Sequence, residues 1–107
     1  MSSSRDPGGI FQEETGVREK PRLQEPRLYR VILHNDDYTT MDFVVKVVMA
    51  VFHKPAAEAT KIMLDVHKKG RGIVGVYTRD IALTKVSQVH DMARQGEFPL
   101  RASCEEA

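Results

Sequence analysis

From Leu28 onward the apolar positions recur first every second residue, then every third or fourth, and the period changes back twice more. Leu28 to His34 alternates, with Tyr29, Val31 and Leu33 on one side and Leu28, Arg30, Ile32 and His34 on the other. That predicts a strand with one well-buried face. Asn35, Asp36 and Asp37 end it, because these side chains bond their own backbone and favour turns. Thr39-x-x-Asp42 has the form of a capping box ahead of an apolar run. The run, Phe43 to Phe52, holds five valines, which favour strands. The cap, the i,i+4 spacing of Asp42 and Lys46, and the stripe Val44, Val47, Val48 and Val51 favour a helix, and we assign one. Pro55 suits the first turn of a second helix whose buried face is Ala56, Ala59, Ile62, Met63 and Val66, ended by Gly70 or Gly72. Ile73 to Tyr77 reads as a short strand. Thr78 or Asp80 caps a third helix with Ala82, Val86, Val89 and Ala93 on one face, and Gly96 closes it. Phe98 to Cys104 reads as the last strand, with Pro99 at its start or on an edge because it has no N–H to give. The order β-α-α-β-α-β predicts an α+β, two-layer sandwich, a three-stranded antiparallel sheet packed on three helices.

Composition divides the chain of 107 residues in two. Residues 1–26 hold five apolar and nine charged residues with three Gly and three Pro. Such a segment buries too little surface to offset its ordering entropy, and it reads as a disordered N-terminal extension. Residues 27–107 are about half apolar, a globular value, and form the one folded domain.

Charge and cysteine content narrow the function. Sixteen Lys and Arg against fifteen Asp and Glu leave a formal net charge of +1, which excludes nucleic-acid binding driven by bulk charge. No apolar run approaches the ~18 residues of a membrane span. The single cysteine, Cys104, excludes an internal disulfide and a Cys-rich zinc site. The opening residues lack the apolar core of a signal peptide, so a cytoplasmic protein is expected.

The candidate chemistry lies in two places. His34-Asn35-Asp36-Asp37-Tyr38 falls where a strand delivers the chain to a helix. It is either a turn with a cap or a polar clamp: the Asn35 carbonyl and two acceptor-only carboxylates suit a cationic ligand that is all donor, such as an ammonium. Met63, Val66 and His67 share one helix face at i, i+3 and i+4, and Met41 and Val44 repeat the spacing on the first helix. They are core stripes, or, if the two helices pack antiparallel, the lining of an apolar pocket with the polar turn at its mouth. His34, Asp36 and His67 also have metal-binding atoms, but no tight metal-motif spacing. A small metal-binding protein or hydrolase using those three is the alternative. A scaffold module like the C-terminal domain of the ribosomal stalk shares the fold type but has no need of a polar turn beside an apolar hole. No nucleophile or phosphate-loop motif is present, and Lys68-Lys69-Gly70-Arg71 reads as a basic helix end complementing its dipole.

Arg30-Val-Ile-Leu-His-Asn35-Asp-Asp-Tyr-Thr-Thr-Met41-Asp-Phe-Val44 closely resembles the opening of the ClpS adaptor family. Ala59-Thr-Lys-Ile-Met63-Leu-Asp-Val66-His67 resembles its second helix, and Gly75-Val-Tyr-Thr-Arg-Asp80-Ile-Ala-Leu-Thr-Lys85-Val and Phe98-Pro99-Leu100 its later elements, over about residues 27–104. The resemblance implies an adaptor, not an enzyme, without cofactor or metal. Such an adaptor binds proteins beginning with Leu, Phe, Tyr or Trp (N-degrons) and delivers them to a ClpA- or ClpC-type AAA+ unfoldase with its ClpP peptidase. By matching motif positions, Asn35, Asp36 and His67 bind the α-amino group and nearby backbone. Asp37, Thr39, Met41, Val44, Met63, Val66 and Leu100 shape the side-chain pocket. Asp80 and Lys85 match positions that contact the N-terminal domain of the unfoldase, and the N-terminal extension is engaged during hand-over. A monomer is expected, with no nucleic-acid or membrane partner. The family commonly has Pro where Thr40 stands, a change expected to loosen the loop from Asp37 to Met41, and Asp80 is often Glu.

Overall fold

In the computed structural model, which describes residues 25–107, the chain forms β1 (Leu28–His34), α1 (Met41–Phe52), α2 (Ala56–Lys69), β2 (Arg71–Thr78), α3 (Arg79–Gly96) and β3 (Arg101–Glu106). The order is the expected one. Strand β1 is central in an antiparallel sheet of order β2-β1-β3. The expected disorder of the N-terminal extension falls, up to residue 24, outside the described residues; Glu25 and Pro26 are exposed and precede β1.

Alternation in β1 sends Val31 and Leu33 into the space between sheet and helices, where both are fully buried. Val44, Val47, Val48 and Val51 meet them from α1, Ala59, Met63 and Val66 from α2, and Ala82, Val89 and Ala93 from α3. Burial on this face outweighs the strand preference of the α1 valines, since most helical stability comes from packing an amphipathic face. Of the expected α2 and α3 faces, Ile62 and Val86 are half-buried and Ala56 is exposed. Strand β2 carries a bulge: Val31 pairs with Gly75 but Ile32 with Ile73, so Val74 is the extra residue, and it points into the core at 3% exposure.

Several expectations shift. Ile32, on the face away from the helices, is 1% exposed. Its cross-strand neighbours are Ile73 and Ser103. The Arg30–Glu105 and Arg71–Glu105 ion pairs and a 2.7 Å bond between His34 Nε2 and Ser103 Oγ span the same face. The cap of α1 is Thr40, whose hydroxyl accepts from the Phe43 N–H at 3.2 Å, and not Thr39. Asp42 and Lys46 do not pair with one another. Pro55 stands at the N-cap of α2, one residue before the helix, and β2 runs longer than Ile73–Tyr77. The left-handed residue after α3 is Glu97 (φ 62), not Gly96. Gly96 answers a different need: a Cβ there would lie 2.9 Å from the Phe43 ring, which packs on Phe98 with centroids 4.5 Å apart. Strand β3 starts at Arg101, so Phe98, Pro99 and Leu100 form the connection into it and Pro99 stays out of the ladder.

Candidate functional site

The site is built where β1 ends. His34 pairs with Arg71, the first residue of β2, so the loop leaving β1 lies against the end of α2. Gly70 closes α2 with φ 87, a left-handed conformation that glycine adopts without a side-chain penalty, and its N–H donates to Val66 O at 3.0 Å. The Asn35 N–H then donates to Gly70 O at 2.9 Å, tying the polar turn to that cap. Two residues on, Gly72 lets α2 settle onto the sheet: a Cβ there would stand 2.9 Å from Val66 Cγ2. The loop and the Val66–His67 turn are thereby held side by side.

Asp36 organises the loop. Its Oδ1 accepts the N–H groups of Tyr38 (2.8 Å) and Thr39 (2.7 Å), and its Oδ2 accepts the Thr39 hydroxyl at 2.7 Å. Burial pushes this carboxyl's pKa up, but the bonds from the Thr39 hydroxyl and the two N–H groups outweigh it, and the net shift is downward. A carboxylate has about four lone-pair positions, so one remains on Oδ2 together with the charge. Thr39, engaged by Asp36, leaves the cap of α1 to Thr40. The loop that lacks proline is thus bonded at Thr39 and at Thr40.

Between the loop and the two helices is a pocket of about 390 Å³. Asn35, Asp36, Asp37, Thr39 and His67 give it polar walls, and Met41, Val44, Met63 and Val66 give it an apolar floor. These are nine of the ten residues expected to bind the amino group or line the pocket. The tenth, Leu100, is 3% exposed in the core and does not line the pocket. Tyr38 and Thr40 line it as well, and only their place in the turn pointed to them. Tyr38 is 78% exposed, a large ring that lines the pocket with little cover among the described residues.

Three other candidates lie elsewhere. His34 is absent from the pocket wall and is turned to the outer sheet face, bonded to Ser103. Burial, and then the positive charge of Arg101 and Arg71, lowers its pKa. Among the described residues no three His, Cys, Asp or Glu side chains converge as a metal site, so His34, Asp36 and His67 do not form the set that a metalloprotein would need. Asp80 is exposed in the first turn of α3. Lys85 is half-buried, and its Nζ donates to Val51 O at 2.7 Å, satisfying the C-terminal end of α1 beside the Tyr77 ring. The two stand five residues apart, about 140° around the helix axis.

An open pocket with an apolar floor and polar walls has the form of a small-ligand binding site. Residues 24–103 match the family described as ATP-dependent Clp protease adaptor protein ClpS. The chain is 64% identical to the ATP-dependent Clp protease adapter protein ClpS of Syntrophus aciditrophicus, with 99% of each chain covered. It is 58% identical to that of Acetivibrio thermocellus over 90% of this chain and 93% of the relative. Among solved structures it resembles Agrobacterium tumefaciens ClpS2 bound to L-phenylalaninamide, with a TM-score of 0.75 and 38% identity over 78% of this chain and 100% of that one. The chain belongs to the ClpS family of adaptors of the ATP-dependent Clp protease.

Proposed function

We propose that the pocket receives the first residue of another polypeptide, its free α-amino group held at the polar wall and its side chain buried on the apolar floor. One observation carries this reading: acceptors on the loop and on α2 meet above Met41, Val44, Met63 and Val66 in one open cavity. An α-ammonium brings three donors and one charge. The Asn35 carbonyl, the remaining Asp36 lone pair and a neutral His67 imidazole are acceptors of the matching kind. L-phenylalaninamide, bound by the relative ClpS2, has that chemistry: a free amine, an aromatic side chain and an amide in place of the next peptide bond.

The energies suit a transient adaptor. Charge-assisted bonds contribute about 1.5–3 kcal/mol each, and burying a Leu or Phe side chain adds about as much. Two or three bonds with the side chain give a gross of roughly 5–12 kcal/mol, and association costs reduce this to micromolar affinity or somewhat tighter. A blocked amine leaves buried acceptors unpaired and is rejected more strongly than the lost bond alone requires. The proposed substrates are proteins beginning with Leu, Phe, Tyr or Trp, delivered by a monomeric cytoplasmic adaptor to a ClpA- or ClpC-type unfoldase. The unfoldase N-terminal domain would contact Asp80 and Lys85, and residues 1–26 would serve the hand-over and not peptide binding. A calorimetric titration tests the central step. A peptide beginning with Phe should bind at least tenfold more tightly than its Nα-acetylated form, and His67→Ala should lose binding with the fold intact. Equal affinity for the free and blocked peptides refutes the reading.

A further inference from the structure

A second depression continues from the first. It is an open groove of about 710 Å³, lined mainly by Val45, Lys46 and Met49 of α1 and Thr60 and Met63 of α2. Met63 belongs to both, so the two share a wall. Met49 is 40% exposed, a flexible apolar side chain with no cover among the described residues. The groove's lining residues lie about four positions further along α1 and about four positions back along α2 than those of the first pocket. At 1.5 Å per residue each shift is about 6 Å.

We propose that this groove takes the side chain of the third residue of the same bound polypeptide, which would make the adaptor selective at position three as well as position one. The inference rests on the first-residue reading. With the α-amine held at the closed end, by the loop and His67, the chain leaves along the cleft between α1 and α2, over Met63. In an extended chain, residues one and three point the same way and stand about 6.6 Å apart. That matches the offset between pocket and groove. Residue two points away from both. Met49 and Met63 are unbranched and polarizable, so the groove suits an apolar side chain without demanding one shape. Asp42 and Lys46, both exposed at its rim, present opposite charges, so the rim favours neither sign at position three.

Fluorescence anisotropy with the full chain and peptides beginning Phe-Ser-Ser, Phe-Ser-Leu and Phe-Leu-Ser, with a common continuation, tests this. Half-burial of a leucine predicts that Phe-Ser-Leu binds roughly three- to tenfold more tightly than Phe-Ser-Ser, while Phe-Leu-Ser gains less than about twofold. Thr60→Lys, which fills the groove, and Met49→Ser, which strips its wall, should each remove the gain and leave Phe-Ser-Ser binding unchanged. Equal affinity for Phe-Ser-Leu and Phe-Ser-Ser overturns the proposal, as does a gain that survives both variants or appears equally for leucine at position two. Nα-acetylated peptides separate the two readings. If blocked and free peptides bind alike, the first-residue reading falls and this one with it. Selectivity for the free amine without a gain at position three refutes the groove alone.

Discussion

Gly72→Ala tests how α2 is seated over the sheet. The added methyl would meet Val66 Cγ2 at 2.9 Å, Val66 N at 3.4 Å and Ile62 O at 3.5 Å. Carbon atoms pack best at about 3.5–4.0 Å, so the nearest contact is too short by more than half an ångström. Val66 cannot swing aside, because a β-branched side chain in a helix keeps one preferred rotamer. The two backbone atoms cannot yield without moving the helix. The end of α2 must therefore lift, at an overpacking cost of about 1–3 kcal/mol. For a domain of this size that is a fall in Tm of roughly 5–20 °C. The same displacement carries His67 away from Asn35, so affinity for a Phe-initiated peptide should fall at least fivefold at a temperature where the variant is folded. Gly70→Ala is the control. Nothing lies within 4 Å of a Cβ there, and only its φ of 87 is unfavourable, so about 1–2 kcal/mol should be lost with little effect on binding. A Gly72→Ala variant with the wild-type melting temperature and affinity would show that the close approach of α2 to β2 does not set the site.

Three further variants examine the loop and the outer sheet face. Thr40→Ala removes the acceptor for the Phe43 N–H and should cost about 0.5–2 kcal/mol in urea unfolding. Thr40→Pro loses the same bond but fits a residue already at φ −72, so it should cost less than Thr40→Ala; the opposite order would mean that the backbone angle is not what proline and threonine share there. His34 has a pKa lowered from 6.5 by burial, Arg101 and Arg71. The unfolded chain thus takes up a proton first as pH falls, and the stability held above pH 6.5 is lost as pH drops through the lowered value. His34→Gln should flatten the fall in Tm between pH 7 and about 5, and an unchanged slope would assign that fall to other groups.

The sequence showed its elements wherever burial alone decides them. The alternation of Val31 and Leu33 and the stripe of α1 valines both lead directly to the observed core. What it hid was set by contacts between distant residues or by competition between neighbours. Thr39 and Thr40 are equally able caps, and the choice is made because Asp36 claims the Thr39 hydroxyl. Gly96 is the last residue of α3, as its type suggests, but the sequence does not tell that it also clears the Phe43 ring contributed from α1. Ile32 falls on the outward side of the alternation, yet it is buried between Ile73 of β2 and Ser103 of β3. Leu100 fits an apolar pocket and a core equally well as a residue type, and only the fold places it in the core. The bond from Lys85 to the carbonyl of Val51 joins residues 34 apart, and no periodicity reports it. The pocket was legible as two helix faces and a turn. That they meet follows from the His34–Arg71 register and the Asn35–Gly70 bond, which no periodicity reports.

Asp36 has two tasks that a simple deletion confuses. Three of its acceptor positions hold the loop, and the fourth, with the charge, is the one proposed to meet the amino group. Asp36→Ala would release Tyr38 and Thr39, and a loss of binding could come from the collapsed loop alone. Asp36→Asn separates the tasks. The amide oxygen can take the place of Oδ1 and accept the same two N–H groups. The Thr39 hydroxyl, which rotates freely, can accept from the amide nitrogen where it formerly donated to Oδ2. The loop is then kept, while the site loses its negative charge and turns a donor toward the incoming ammonium. Stability near pH 7 should change by no more than a few degrees in Tm, although the pH dependence contributed by this carboxylate, present above its unfolded pKa and lost as pH falls through its lowered folded value, disappears. Affinity for a free-amine peptide should fall tenfold or more, because one charge-assisted bond is exchanged for a donor–donor contact. If Asp36→Asn binds as the wild type does, Asp36 only builds the loop, and Asn35 and His67 alone hold the amino group.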